Sequence, residues 1–277
     1  MASNHRWTCW LLFACAYSCG LVRAAEGPFE AKLTFDLGTY FMSSQTSIRA
    51  DELDGIDLGT RFRVEDVFEM QDETVFRLEG AWRFKPRHAL RLMYFDSSRS
   101  RTESIDRDLE FGDASFPVGA SVKLRYDFTV TELAYRYSLV RKDNFELDGS
   151  VGVHNVDFGT SLSATLSAPA GQGSISAEES ASTNAPLPVF GLGMTWHLAR
   201  DVYLLAHAQY FQIAYGDFDG RLMDYQAGVL WQFSEHFGVG AAYNSFMLEV
   251  SADDADSFRG ELDWEYSGPQ LFLRAAF

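Results

Sequence analysis

Three histidines sit inside alternating stretches of the chain: His154 in "GVHNVDFGTS", His197 in "TWHLARD" and His207 in "LLAHAQYF". A histidine does acid–base work when a nucleophile or carboxylate lies within hydrogen-bond reach. None of the three has a serine two residues away, so His154 and His207 read as interior residues with ordinary partners. Asp217 and Asp219 in "YGDFDG" form a D-x-D pair, but in so tight a loop that pattern belongs to turns. The stretches "RADELDGID" and "SADDADSF" offer oxygen ligands for a divalent cation. They lack the alternating spacing of an EF-hand loop, and a solvated, repulsive rim is the expectation. No catalytic, cofactor or metal residue is assigned.

The rest of the composition narrows the class. Of 277 residues 15% are aromatic and 22% charged, which excludes disorder for most of the length. A formal charge of −16 argues against nucleic acid as a partner, because phosphates need a basic footprint. "MASNHR", the apolar run "WTCWLLFACAYSCGLV" and the small residues of "VRAA" have the layout of a secretory signal peptide. It is expected over residues 1–24, with one domain over 25–277. Cys9, Cys15 and Cys19 all fall in this leader, so the remainder can form neither disulfides nor thiolate metal sites. Without Arg6 and Arg23 it carries 21 basic and 39 acidic residues, a net −18.

No later stretch approaches 18 consecutive apolar residues, so no transmembrane helix is expected. Period 2 recurs instead, the mark of strands. In "RLMDYQAGVLWQF" one face holds Met223, Tyr225, Ala227, Val229, Trp231 and Phe233. In "TVFRLEGAWRF" it holds Phe76, Leu78, Gly80, Trp82 and Phe84, and in "TELAYRYSL" it holds Leu133, Tyr135, Tyr137 and Leu139. Polar tight turns at 85–88, 141–144, 199–201 and 234–236 alternate with longer links near 44–73, 97–120, 165–186 and 252–258, the short 216–220 excepted. Counting up and down gives about ten antiparallel strands, with eight or twelve as alternatives. Short turns at one end and long loops at the other predict an all-β, up-and-down transmembrane barrel. The segment 58–73 reads as a protruding extension. The change of phase between Val130 and Leu133 predicts a bulge followed by a solvated hairpin. Gly268-Pro269 also suits a bulge.

Three patterns place the apolar face outside. Trp82, Phe84, Tyr137, Trp196, Trp231, Phe233 and Phe237 cluster beside the tight turns, as an aromatic girdle does at a lipid headgroup layer. The polar face is charge-balanced: Lys32, Arg77, Arg83, Arg91, Arg136 and Arg274 against Asp36, Glu79, Glu132, Glu146, Asp148 and Asp224. Such balance suits a confined interior, where an unpaired charge is costly. Last, "QLFLRAAF" alternates Leu271, Leu273, Ala275 and Phe277 back from a terminal aromatic.

With that ending, the chain resembles Gram-negative outer-membrane β-barrel proteins, whose C-terminal strand is read by the assembly machinery. The resemblance implies an outer-membrane location, long extracellular loops and short periplasmic turns. It also implies contact with outer-membrane lipid and lipopolysaccharide, and with periplasmic chaperones. Barrel lipases and deacylases of this class pair a histidine with a nearby serine, and omptin-like proteases use an Asp pair with an Asp–His pair; neither pattern is matched here. The expectation is a non-catalytic barrel with a side-chain-plugged, charged lumen and acidic surface loops. A narrow porin-like channel is the alternative, and an outer-membrane enzyme the third.

Overall fold

A computed structural model describes residues 29–50, 61–68, 72–106, 108–111, 114–166, 175–215, 218–252 and 260–277. The expected leader, Asp217 and most of both acidic stretches lie outside the described residues. In chain order the elements are β1 (Leu33–Ala50), β2 (Phe62–Arg63), α1 (Val64–Phe68), β3 (Glu73–Lys85), β4 (His88–Ser104), β5 (Leu109–Phe111), β6 (Ala114–Phe116) and β7 (Ser121–Lys142). They continue with β8 (Phe145–Leu166), β9 (Ile175–Ala199), β10 (Val202–Tyr215), β11 (Phe218–Trp231), β12 (Phe237–Ala252) and β13 (Gly260–Ala276). Ten of them, β1, β3, β4 and β7 to β13, pair in sequence order and antiparallel. The wall closes where β13 pairs β1 from Thr34↔Ala276 to Ala50↔Gly260. In the short-turn half closure leaves no edge strand to recruit another chain; above it, among the described residues, β4 has no β3 partner beyond Phe95, and β9 has no β10 partner beyond Phe190.

Strand length divides the barrel into two parts. β7 and β8 have 22 residues each and β9 has 25. At about 3.3 Å per residue and a tilt near 40°, 22 residues rise roughly 55 Å along the axis. An outer-membrane apolar band is only about 25 Å tall. Half of each long strand must therefore stand beyond a bilayer.

The side chains record that boundary. On β7 the even positions from Val122 to Ala134 point inward and are buried throughout. Val122, Leu124, Tyr126, Phe128 and Val130 are apolar, and the next inward residue is Glu132. The outward positions invert the other way, from Lys123, Arg125, Asp127, Thr129 and Thr131 to the exposed Leu133. β8 changes at the same level: His154 gives way to Val156 and Phe158 inside, while Val153 gives way to Asn155 and Asp157 outside.

Pairing across this change runs without a register shift. The expected bulge is therefore absent between Val130 and Leu133. Strand geometry is continuous, and the surroundings switch from lipid to water. Nor is the upper part a solvated hairpin: it is a continuation of the barrel with an apolar core, arranged as in a soluble barrel.

Three further expectations are corrected. Residues 175–186, read as part of a longer link, belong to β9 and pair β8 from Leu166↔Ile175 downward. The segment 58–73 does not protrude over its described part, because Val64 of α1 is fully buried in the upper core. β3 pairs β1 only as far as Met42, and above it the Thr46 amide donates to Glu65 Oε2 at 2.7 Å, satisfying a ladder donor that β3 does not reach. At Gly268-Pro269 the β1–β13 register is unchanged on both sides of the gap. Glycine is needed there because a Cβ would run into the Phe41 carbonyl oxygen.

Candidate functional site

The inward positions nearest the short turns carry paired charges. Arg274 donates from Nε and Nη2 to the two oxygens of Asp36, at 2.7 and 2.5 Å. Arg83 crosses from β3 to β8 and donates Nη2 to both oxygens of Glu146, at 3.0 and 2.9 Å. Arg136 clamps Asp148 with two bonds, the Nε one at 2.8 Å. Forked arginine–carboxylate pairs of this kind are the strongest protein ion pairs.

A second tier lies deeper. Arg77 Nε donates to Glu79 Oε1 at 2.8 Å and Arg91 Nη2 to Glu79 Oε2 at 2.8 Å. Arg91 Nη1 also donates to Glu132, and Gln209 Nε2 donates to Glu132 Oε1 at 2.8 Å. Gln226 donates to Asn244 at 2.8 Å, and Asn244 to Gln270 at 2.8 Å. β9 makes room for both tiers with Gly191 and Gly193. A Cβ at Gly191 would stand 2.7 Å from Gln209 Cγ, and one at Gly193 2.6 Å from Asp148 Oδ2. Among these two tiers lies a cavity of about 130 Å³ lined in part by Arg83, Arg91, Glu132, Arg136 and His207.

Lys32 does not join this set. It precedes β1, its side chain is exposed, and its backbone amide donates to the Phe277 carbonyl at 2.6 Å. The interior positions named from the sequence therefore comprise five arginines and six carboxylates. The carboxylate left over is Asp224: it is 1% exposed, and neither of its oxygens has a hydrogen-bond partner.

Above the second tier the interior is aromatic. Phe128 of β7 stacks on Trp264 of β13 with centroids 3.6 Å apart and planes 15° apart. Four steps around the wall separate these strands, so the stack spans the interior. Phe246 stacks on Tyr266 at 4.9 Å, and Phe95 meets Tyr266 edge-on at 5.3 Å.

The outer surface of the short-turn half is the complement. Trp82, Phe84, Tyr137, Trp196, Trp231, Phe233 and Phe237 all point outward and are exposed. Leu271, Leu273 and Phe277 are exposed on the same surface, and Ala275 is half-buried. Together with Leu37, Phe76, Leu133 and Leu192, each more than 55% exposed, they form a belt. So much contiguous apolar surface has no place in water.

No protein-family model and no curated protein sequence matches the chain. Among solved structures, the outer membrane protease OmpT of Escherichia coli is similar, with a TM-score of 0.59 at 11% identity over 88% of this chain and 96% of that one. A Pseudomonas aeruginosa FadL homologue aligns over 88% and 90% at 10% identity with a TM-score of 0.38. Ail of Yersinia pestis aligns over 89% and 99% at 10% identity with a TM-score of 0.34. The belt, the polar interior and the closed ten-strand wall decide the matter. The chain is an outer-membrane β-barrel.

The histidines of this outer-membrane barrel have diverse surroundings. His197 stacks on Tyr203 at 4.6 Å and bonds the Arg200 carbonyl. His154 Nε2 lies 2.8 Å from Gln209 Oε1, but its Nδ1 has no partner. His207 Nε2, also without a hydrogen bond, stands 3.5 Å from Asp224 Oδ2. The two expected to be ordinary interior residues are thus only partly satisfied. Among the described residues no histidine bonds a serine. Sequence reading missed that His154, His207 and Gln209 join the carboxylates, and it missed the aromatic layer. The signal available for the first was three polar residues at inward parity in otherwise apolar or small surroundings.

Proposed function

We propose that this outer-membrane barrel is a non-catalytic, non-conducting surface protein whose lumen is closed twice. Ion pairs and amides fill the membrane half, and an aromatic core fills the half beyond it. The stack of Phe128 on Trp264 across the interior carries this reading. A pore would need a continuous polar path, and rings 3.6 Å apart leave no width for water. The upper barrel then serves as a rigid pedestal, raising a polar outer face away from the headgroups. Its belt contacts lipid and lipopolysaccharide, and chaperones and the assembly machinery engage the final strand. The polar histidine–carboxylate cluster lies beneath the aromatic layer, which argues against substrate reaching it from outside; the likeness to a protease is one of fold.

Conductance in planar bilayers tests the proposal. The purified, refolded protein should give no steady single-channel steps, whereas stable steps in the wild type would promote the narrow-channel reading.

A further inference from the structure

We infer that Glu132, His154, His207 and Asp224 form a binding site for one divalent transition-metal ion, with a donor set suited to zinc. The four come from β7, β8, β10 and β11, all at inward positions. One donor atom from each of Glu132, His154 and Asp224 lies within 4.8 Å of the others. His207 Nε2 is 3.5 Å from Asp224 Oδ2. That is too long for a good hydrogen bond. It matches two donors on one ion, since zinc bonds of about 2.0–2.2 Å place tetrahedral ligands roughly 3.3–3.6 Å apart.

Hydrogen bonding around the cluster says which atoms are free to ligate. Gln209 donates its amide nitrogen to Glu132 Oε1 at 2.8 Å, so its carbonyl oxygen faces His154. That oxygen can only accept, and His154 Nε2 at 2.8 Å must be the donor. In the neutral ring Nδ1 then carries a bare lone pair, buried and without a partner, while Nε2 is the nitrogen 3.6 Å from Glu132 Oε2. A metal-bound histidine is held in this way, its second nitrogen donating to an oriented acceptor. Arg91 and Gln209 hold Glu132 likewise.

Charge gives an independent reason. Asp224 is the unmatched sixth carboxylate, fully buried with both oxygens bare. A buried carboxylate without hydrogen bonds is unfavourable, and a cation bound directly to it removes that cost. Arg77, whose Nε is committed to Glu79, lends Asp224 positive charge but no hydrogen bond, so both carboxylate oxygens stay open to an ion. Glu132 and His207 both line the cavity among the ion pairs, so the site borders open space. The ion would tie β7 to β11 across the interior, four steps apart around the wall.

The test uses the full barrel refolded in detergent, stripped with EDTA and titrated with zinc. Metal analysis after desalting should find one zinc per chain. Asp224→Asn and His154→Gln should each weaken binding beyond the 10–100-fold typical of losing an outer partner. His236→Gln, at the rim where His236 bonds the Ala276 carbonyl, should bind as the wild type does. Should the variants fail to fold, zinc-edge X-ray absorption on the wild type decides: two imidazoles in the shell support the site. Absence of binding, binding that Asp224→Asn leaves unchanged, or a shell of oxygens alone would overturn it. A protonated histidine or water would then be what meets Asp224.

Discussion

Replacing Trp264 with alanine removes the ring on which the closure of the outer half depends. Trp264 is 1% exposed and touches Phe128, Phe246 and Tyr266. A tryptophan buries roughly 200 Å², which at about 25 cal/mol per Å² corresponds to about 5 kcal/mol. Measured losses for buried aromatics fall at about 3–5 kcal/mol, because the surroundings collapse in part. Trp231 is the internal comparison: it lies in the belt, 54% exposed to the lipid side. Its ring leaves no protein cavity when removed, so Trp231→Ala should cost less than half as much. Urea unfolding of both variants in lipid vesicles, followed by circular dichroism, measures the difference. Equal and small losses, below about 1 kcal/mol, would refute the aromatic core. They would mean that the upper interior is already open to water.

Arg136→Ala should destabilise the barrel by up to about 3–5 kcal/mol, since Asp148, 3% exposed, is left buried without its clamp; the 26% exposure of Arg136 places the loss toward the lower figure. Arg61→Ala, half-exposed and paired with Glu261 and Asp263, should stay within about 0.5 kcal/mol, and the same urea assay reads both. A cysteine at Ser182, exposed near the loop end of β9, should react with an impermeant maleimide on intact cells, while one at Asp143 in a short turn should not. Leu192→Arg, outward and midway between the short turns and the height of Glu132, should cost about 2–4 kcal/mol, whereas Thr129→Arg, above the belt, should cost about 0–1 kcal/mol.

The membrane half of the fold was legible because two solvents act on one strand there. Lipid demands Leu133, Tyr135 and Tyr137 outside, confinement demands paired charge inside, and the period of 2 exposes both. The outer half was misread for the same reason. Val122 to Val130 alternate as cleanly as the belt strands do, but alternation does not say which face is wet. Assuming that apolar meant outward turned a change of solvent into an apparent change of phase. β9 from Ile175 to Pro186 was invisible for another reason. Ser176, Glu178, Ser180, Ser182 and Asn184 are polar, and the intervening Ala177, Glu179, Ala181 and Thr183 are small or charged, so neither face shows a period. Its strand form comes from pairing with β8. Glu132, His154, His207 and Asp224 are 92 residues apart from first to last, and only a closed wall brings them together; no local spacing could announce them. Lys32 failed as an interior charge because β1 begins one residue later.

The most direct measurement of the two-part barrel is spin-label depth along β7 and β8. Nitroxides are placed singly at Arg125, Leu133, Val153 and Asp157, all outward and exposed. Collision rates with oxygen, which concentrates in hydrocarbon, and with a water-soluble nickel chelate then report the surroundings of each. Labels at 133 and 153 should collide with oxygen and be shielded from nickel. Labels at 125 and 157 should show the reverse, with the crossing between Thr129 and Leu133. Hydrocarbon signatures at 125 and 157, or nickel access at all four, would contradict a wall that passes from lipid to water at the height of Glu132.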